Sequence, residues 1–335
     1  MSRHDSKPRV LVAITEERRQ GFLPNDLLNR LNDLVEDVRM YDPELRYDNW
    51  EKELADYEPG VIVSGWGTPR IPVWPQPKLD YVCHLTGEVR NTIPRELIER
   101  GLMVTNWGTS ISRTVAECTL MLTLCALRRV TQFALGMHVE KQWKTTDSAA
   151  SLFGRRIGIH GFGNIAREYV KLAKPFGCSV SSYDPYVSDS VLRQHGVQRC
   201  NSLEELFSTS QIIIELAANT EETRRSVTGE LLRMLPPDGV FVNTGRSAVV
   251  DTEALVEIAR EGNLQVALDV FDEEPLSADN PLRGLHNVTL LPHIAGPTTD
   301  RLRDCGEAAV RNITKYIHGE PLDAVITLDV YDRIS

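Results

Sequence analysis

Arg156-Ile-Gly-Ile-His-Gly161-Phe-Gly163-Asn-Ile-Ala166 is the stretch from which the fold of this 335-residue chain is read. A short apolar run, a glycine turn and the start of an amphipathic stretch follow one another without a break. The turn reads G-x-G-x-x-A. Gly161 suits a tight turn, and Gly163 lets backbone approach a pyrophosphate. The helix start offers unpaired N–H groups to phosphate oxygens. Ala166, in the third place, still permits close packing of helix on strand. Alone, such a turn is equally a plain strand-to-helix connection. The next apolar run, Ser179-Val-Ser-Ser-Tyr-Asp184, however, ends on an aspartate about twenty residues past the second glycine. A carboxylate there accepts both ribose hydroxyls of NAD and repels the 2′-phosphate of NADP. Pro185 and Tyr186 bring no arginine for that phosphate. The combination predicts an NAD site.

Outward from this turn, brief apolar runs alternate with amphipathic stretches, the pattern of βα units and a parallel sheet. Downstream, strands are predicted at 156–160, 178–183, 211–216, 239–243, 265–269 and 287–291. Helices fill the gaps at 164–176, 203–207, 228–234 and 252–260, and six strands make a complete dinucleotide-binding domain. Upstream, 9–14, 60–64, 79–85 and 102–105 read as buried strands, with helices at 24–35 and 94–100. The second of these helices opens on a first-turn proline. Segment 112–129 is apolar on nearly every face and predicts a buried helix crossing between domains. The last helix, 298–317, has no strand left to serve in the second sheet and is expected to rejoin the first domain. The fold class expected is α/β, with two Rossmann-like, doubly wound parallel-sheet domains and a cleft between them. One is flavodoxin-like and the other dinucleotide-binding. The expected boundaries are 1–115 with 299–335 for a discontinuous substrate domain, and 116–298 for the dinucleotide-binding domain.

The chain's length suits two domains rather than one core. A net charge of −10 opposes a nucleic-acid partner, which needs a basic stripe. No apolar run approaches the roughly 18 residues of a membrane span, and the N-terminus from Met1 to Pro8 carries no apolar signal segment. Six cysteines are scattered without a Cys-x-x-Cys pair, which suits reduced thiols better than a disulfide framework or a zinc site. The expectation is a cytoplasmic protein with no metal, membrane or nucleic-acid partner.

Three further motifs stand where sheet strands end: Asn243-Thr-Gly-Arg246-Ser, Ala267-Leu-Asp269-Val-Phe-Asp-Glu-Glu274-Pro and Leu291-Pro-His293-Ile-Ala-Gly-Pro. In open α/β sheets, ligands sit outside the carboxyl ends of the strands. Reduction of a 2-keto acid needs a fixed cation and a proton donor. Arginine binds carboxylate with its planar fork, and histidine exchanges protons near neutral pH. A carboxylate beside the histidine stabilises imidazolium. Arg246 is the candidate anchor, His293 the acid and Glu274 its partner. Taken singly, Arg246 also reads as a turn residue, 272–274 as a solvated acidic loop and His293 as a strand-end histidine. Their joint occurrence after the glycine turn favours the catalytic reading.

With these motifs in place, the chain resembles the D-isomer-specific 2-hydroxyacid dehydrogenase family over most of its length. The marks are Gly161-Phe-Gly163 with Asp184, Lys174-Pro-Phe-Gly177, Thr220-Glu-Glu-Thr223, Asn243-Thr-Gly-Arg246, Asp269 to Pro275, and Pro292-His293. Thr114-Val-Ala-Glu117 looks like the start of the family's interdomain helix. The resemblance implies an NAD-dependent enzyme that passes hydride between the dinucleotide and a 2-keto or D-2-hydroxy acid. It carries the anchor role to Arg246 and the acid/base pair to Glu274 and His293. It also implies cofactor contacts from Gly161, Phe162, Gly163, Asn164, Ile165, Asp184, Thr114, Thr244, Asp269 and Gly296, with Asp269 near the nicotinamide. A homodimer through the cofactor domain is usual in the family.

The departures concern the substrate. The family's first-domain loop is rich in glycine and valine, and its N–H groups hold the substrate carboxylate. Here it reads Cys83-His-Leu-Thr-Gly87-Glu-Val-Arg90-Asn, and only Thr86 and Gly87 carry over as substrate-binding residues. His84 and Arg90 either contact a larger or more anionic substrate or face solvent. Leu216-Ala-Ala-Asn-Thr220 replaces His-x-Pro-x-Thr, and Asn106-Trp107-Gly108-Thr109 replaces Asn-Thr-Pro-Gly. Trp66 and Trp107 either narrow the substrate side of the cleft or pack beneath it. The rival reading is an NAD(H)-responsive binding or regulatory protein with little turnover. The altered loop favours that rival, and the intact Arg246, Glu274 and His293 oppose it. An NAD enzyme of other chemistry would show no dependence on His293, and nothing in the sequence favours a structural role.

Overall fold

Strands that are apolar on both faces must be covered on both faces, so a chain of such runs folds as parallel sheets sheathed in helices. The computed structural model describes residues 7–46, 49–73, 78–144 and 148–333. The N-terminal stretch read as lacking a signal segment lies, up to residue 6, outside the described residues. The chain divides into two units, Met1–Ile111 with Pro297–Ser335, and Ser112–Gly296.

The first unit runs β1 (Arg9–Ala13), α1 (Glu16–Phe22), α2 (Asn25–Leu34), β2 (Asp37–Met40), α3 (Pro43–Arg46), α4 (Trp50–Tyr57), β3 (Val61–Ser64), β4 (Tyr81–His84), α5 (Arg95–Glu99) and β5 (Met103–Thr105). Its sheet has the order β2-β1-β3-β4-β5, and every pairing is parallel. This is the flavodoxin-like order. Strand β2 is absent from the sequence reading because Asp37-Val-Arg-Met has no apolar run. It is an edge strand with alternate residues exposed, where charge is tolerated.

The second unit runs α6 (Ser112–Leu127), α7 (Val130–Leu135), β6 (Arg156–His160), α8 (Asn164–Ala173), β7 (Ser179–Tyr183), α9 (Asp189–His195), β8 (Gln198–Arg199), α10 (Leu203–Thr209), β9 (Ile212–Glu215), α11 (Gly229–Arg233), β10 (Gly239–Asn243), α12 (Thr252–Glu261), β11 (Leu264–Leu268) and β12 (Val288–Leu290). The sheet has seven strands, not the six expected. The addition is β8, two polar residues at an edge with no apolar signal. The order β12-β11-β10-β9-β6-β7-β8 is parallel throughout and reverses direction at β6. That reversal opens a crevice at the carboxyl ends beside the glycine turn. Alternate residues feed the two faces. Ile157, Ile159, Ile212, Ile214 and Val242 pack into one core, and Ile213, Phe241, Val266 and Leu268 into the other. Ala166 is fully buried in the first, as close helix–strand packing requires.

The chain then returns to the first unit as α13 (Leu302–His318) and α14 (Leu328–Arg333). Helix α13 packs on α1, α2 and β4. Among the described residues no single helix is long and apolar enough to cross a membrane, and no cluster of ligands could hold a metal.

Gly306 lies in mid-helix, where glycine is unfavourable. A Cβ there would fall inside the contact shell of the Phe22 carbonyl oxygen. Gly306→Ala is therefore expected to lower stability by about 1–3 kcal/mol despite its better helix propensity. The check is the urea midpoint of the full chain, and an unchanged or raised midpoint would contradict the packing.

Candidate active site

The glycine turn follows β6 at the point of reversal. Gly161 has φ +82°, and a Cβ on it would lie 2.6 Å from Ala217 Cα. No other residue type fits that approach. At Gly163 the opposite holds, because a Cβ there meets nothing within 4 Å. The glycine leaves a cradle at the start of α8, whose first turn has no side-chain cap. Free helix N–H groups beside open space are what a pyrophosphate uses, so these residues fit the dinucleotide. Asn164 is exposed and Ile165 half-buried, while Phe162 packs inward and only its backbone meets the turn. The Phe162 N–H donates to Asp184 Oδ2 at 2.7 Å, and the Tyr186 N–H donates to Asp184 Oδ1 at 2.9 Å. Asp184 thus braces the turn and still has lone pairs for a ribose diol.

Arg246 stands after β10 in a turn stapled by Asn243. The Gly245 N–H donates to Asn243 Oδ1 at 2.9 Å, and Asn243 Nδ2 donates to the Arg246 carbonyl at 3.1 Å. One guanidinium nitrogen donates to the Gly245 carbonyl at 2.8 Å. The Thr244 hydroxyl is buried against Thr119 Oγ1 at 2.7 Å, so it is engaged within the unit. Thr114 is buried at the start of α6, and Gly296 closes the unit in open space.

Glu274 and His293 come together from the loops after β11 and β12. Nδ1 of His293 lies 2.6 Å from Glu274 Oε2. An ionised carboxylate only accepts, so Nδ1 donates and Nε2 is left for a ligand. Glu274 Oε1 accepts the Phe271 N–H at 3.0 Å, which orients the carboxylate. The histidine side chain is half exposed, and a cavity of about 660 Å³ opens beside the pair. His293 itself has φ +54°, an unfavourable conformation for a residue with a Cβ. Asp269 secures the chain beyond it. Its two oxygens accept the N–H groups of Ile294 and Ala295 at 2.8 and 2.9 Å. Asp269 is 1% exposed, and burial pushes its carboxyl up, with the two amides and His293 pulling it part of the way back. This buried clamp is an addition to the nicotinamide-side role expected from the sequence.

The sequence reading passed over a buried pair beside the turn. His160 Nδ1 lies 2.7 Å from Glu215 Oε2, and Glu215 Oε1 accepts the Ala217 N–H at 2.8 Å. Burial pushes the imidazole down, but the charge and hydrogen bond of Glu215, helped by Asp184, reverse this and raise it. A histidine at a strand end and a glutamate 55 residues later give no joint signal in sequence.

In the first unit, the loop after β4 departs from both readings offered for His84. The ring is 2% exposed, with Nδ1 at 2.8 Å from Ser64 Oγ and Nε2 at 2.6 Å from Thr86 Oγ1. It faces neither substrate nor solvent, and the Thr86 hydroxyl is taken up in holding it. Arg90 is half-buried. Its guanidinium donates to the carbonyls of Tyr331 and Asp332 and ties the loop to α14. Gly87 lies under the indole of Trp107, whose Nε1 and Cζ2 would be 2.8 Å from any Cβ there.

Comparison with known proteins points to one family. A family model for the D-isomer-specific 2-hydroxyacid dehydrogenase NAD-binding domain matches residues 120–295. The D-3-phosphoglycerate dehydrogenase of Methanocaldococcus jannaschii is 30% identical over 83% of this chain, which spans only 53% of that relative. A glyoxylate reductase of Korarchaeum cryptofilum is 32% identical over 73% of this chain and 75% of its own. Among solved structures, the TT0316 protein of Thermus thermophilus superposes with TM-score 0.77 at 26% identity. That match covers 95% of this chain and all of the other.

Burial lowers the His84 pKa from 6.5 to about 4. The unfolded chain therefore takes up this proton first. The neutral ring's contribution is complete above pH 6.5 and is lost as pH falls towards 4, a difference of about 3 kcal/mol. Thermal midpoints measured across that window should fall in the wild type and flatten in His84→Gln. Parallel curves for the two proteins would refute the assignment.

Proposed function

The chain belongs to the D-isomer-specific 2-hydroxyacid dehydrogenase family, and from that premise we propose that it interconverts a 2-keto acid and a D-2-hydroxy acid with NAD(H). The observation that carries this reading is the Glu274–His293 pair, aligned at 2.6 Å with the other imidazole nitrogen open. The bound dinucleotide supplies the hydride. Arg246 holds the substrate carboxylate and polarises the keto oxygen with its planar fork. As the carbonyl carbon gains hydride, the keto oxygen takes the proton from His293 Nε2, leaving the 2-hydroxy acid and oxidised dinucleotide. Glu274 keeps the ring in one orientation and stabilises imidazolium before transfer. Asp184 selects NAD over NADP. Six free cysteines support a cytoplasmic setting.

The second unit carries a run of exposed apolar residues on and after α6 and α7. Met121, Val130, Met137, Val139 and Trp143 all face solvent, with Val139 69% and Trp143 84% exposed. Side chains of this kind along one stretch of a folded unit mark an interface. Its occupant is a second copy of this chain, as is usual in the family.

NADH oxidation measured against glyoxylate, pyruvate, hydroxypyruvate and phenylpyruvate should reveal at least one substrate. His293→Ala should lower its kcat by about 10²–10⁴-fold with NADH affinity retained. If NADH binds and every keto acid stays inert, the chain is instead an NAD-responsive binding protein. For the assembly, sedimentation should give a dimer for the wild type and a monomer for Val139→Asp with Trp143→Ser. A monomeric wild type would rule the interface out.

A further inference from the structure

We propose that His160 and Glu215 are positioning residues of the dinucleotide site, a buried pair that holds the glycine turn in the shape that takes a pyrophosphate. The inference rests on the dinucleotide reading of that turn, not on the 2-keto acid reaction, and lies wholly within the second unit. His160 closes β6 and Glu215 closes β9, opposite each other in parallel register. Strand β9 reads Ile212-Ile-Ile-Glu215, and the glutamate is as fully buried as the isoleucines. Burying a carboxylate with an imidazole costs free energy that two leucines would not. Apolar replacement of such pairs is often neutral or stabilising. Fold stability alone therefore gives no reason for the pair, and its contacts do.

Those contacts close a ring around the first glycine. His160 Nδ1 lies 2.7 Å from Glu215 Oε2, and Glu215 Oε1 accepts the Ala217 N–H at 2.8 Å. Ala217 in turn is the residue against which Gly161 packs without room for a Cβ. The Leu216 N–H donates to the His160 carbonyl at 3.0 Å, and the Gly161 N–H to the Tyr183 carbonyl at 3.0 Å. The pair thus fixes the turn on the side of β9, as Asp184 fixes it on the side of β7 through the Phe162 N–H. A turn fixed on both sides needs no ordering when phosphate oxygens arrive at the start of α8. The pair also suits an anion. Burial opposes the imidazolium, but Glu215, helped by Asp184, outweighs this and raises the ring. The buried carboxylate is thereby offset by a cation and presents less repulsion to a pyrophosphate.

The test measures binding of NADH and ADP-ribose by calorimetry and of adenosine by saturation-transfer NMR, with urea midpoints of the same full-length proteins. His160→Leu combined with Glu215→Leu should keep or raise the midpoint. It should nevertheless weaken NADH and ADP-ribose alike by about tenfold, because the Ala217 amide loses its acceptor and the turn its brace. Adenosine, which has no pyrophosphate, should bind as it does to the wild type. Glu215→Gln keeps an acceptor for Ala217 and a donor for a neutral imidazole, so it should return NADH affinity to within about threefold of the wild type. If the double variant does not fold, Glu215→Leu alone, which leaves the imidazole free to be neutral, decides by the same readings. NADH affinity unchanged in the leucine variants overturns the proposal. So does an equal loss for adenosine, which marks general damage to the unit, or a Glu215→Gln protein that binds as weakly as Glu215→Leu. Because binding is read without turnover, a chain that binds NADH and reduces no keto acid loses the proposed reaction while the role of the pair stands.

Discussion

The carboxyl end of β9 is gripped between two glycine turns, and the arrangement of the larger sheet's working edge depends on that grip. On one side Gly161 passes close enough to Ala217 to exclude any side chain. On the other, Gly245 lies so near Leu216 that a Cβ would come within 3.1 Å of its Cα. The first turn aims the start of α8, and the second presents Arg246. Beneath them Glu215 binds His160 with one oxygen and the Ala217 amide with the other, so the backbone between the turns cannot drift. The glycine turn and the arginine turn therefore share one support.

Around this support an acidic chain uses its carboxylates as backbone clamps. Asp184 accepts two amides beside the glycine turn, Asp269 two amides after His293, and Glu215 and Glu274 one each. Each clamped amide lies in a loop beyond a strand end, where main-chain donors lose their sheet partners and would otherwise need water. Charge-assisted bonds to these donors are stronger than neutral ones. The candidate residues of the site are thus placed by loops with few degrees of freedom, which suits groups that must meet in one geometry. His293 shows how firm this is, since its left-handed backbone persists between a bond to Glu274 and the Asp269 clamp.

The fold and the candidate residues of the site were legible because their signals are local. A glycine turn between an apolar run and an amphipathic one, or a Pro-His after another run, can be read within ten residues or so. The edge strands were not legible, because Asp37–Met40 and Gln198–Arg199 owe their pairing to a neighbour rather than to their own pattern. Contacts distant in sequence escaped as well. Nothing near Cys83-His84-Leu85 announces that Ser64 and Thr86 will enclose the ring, so a polar residue in a ligand loop was read as facing a ligand or water. The ties of Arg90 to the C-terminal helix escaped too, since its partner carbonyls lie 241 and 242 residues away. Trp66 and Trp107 were visible in the sequence, but their edge-on contact joins loops after β3 and β5, which no local pattern brings together.

The shared support under the two turns also bears on how this edge can change. A side chain introduced at 161 must displace Ala217, and one introduced at 245 must displace Leu216, its immediate neighbour. Both push on the same short piece of chain, which Glu215 holds from below. Their effects will not add as those of distant sites do. Once the support has yielded to the first substitution, the second meets less resistance, and a change that relaxes 216–217 can compensate for either. The two turns are in this sense one mutational unit, and drift at this edge is confined to paired steps.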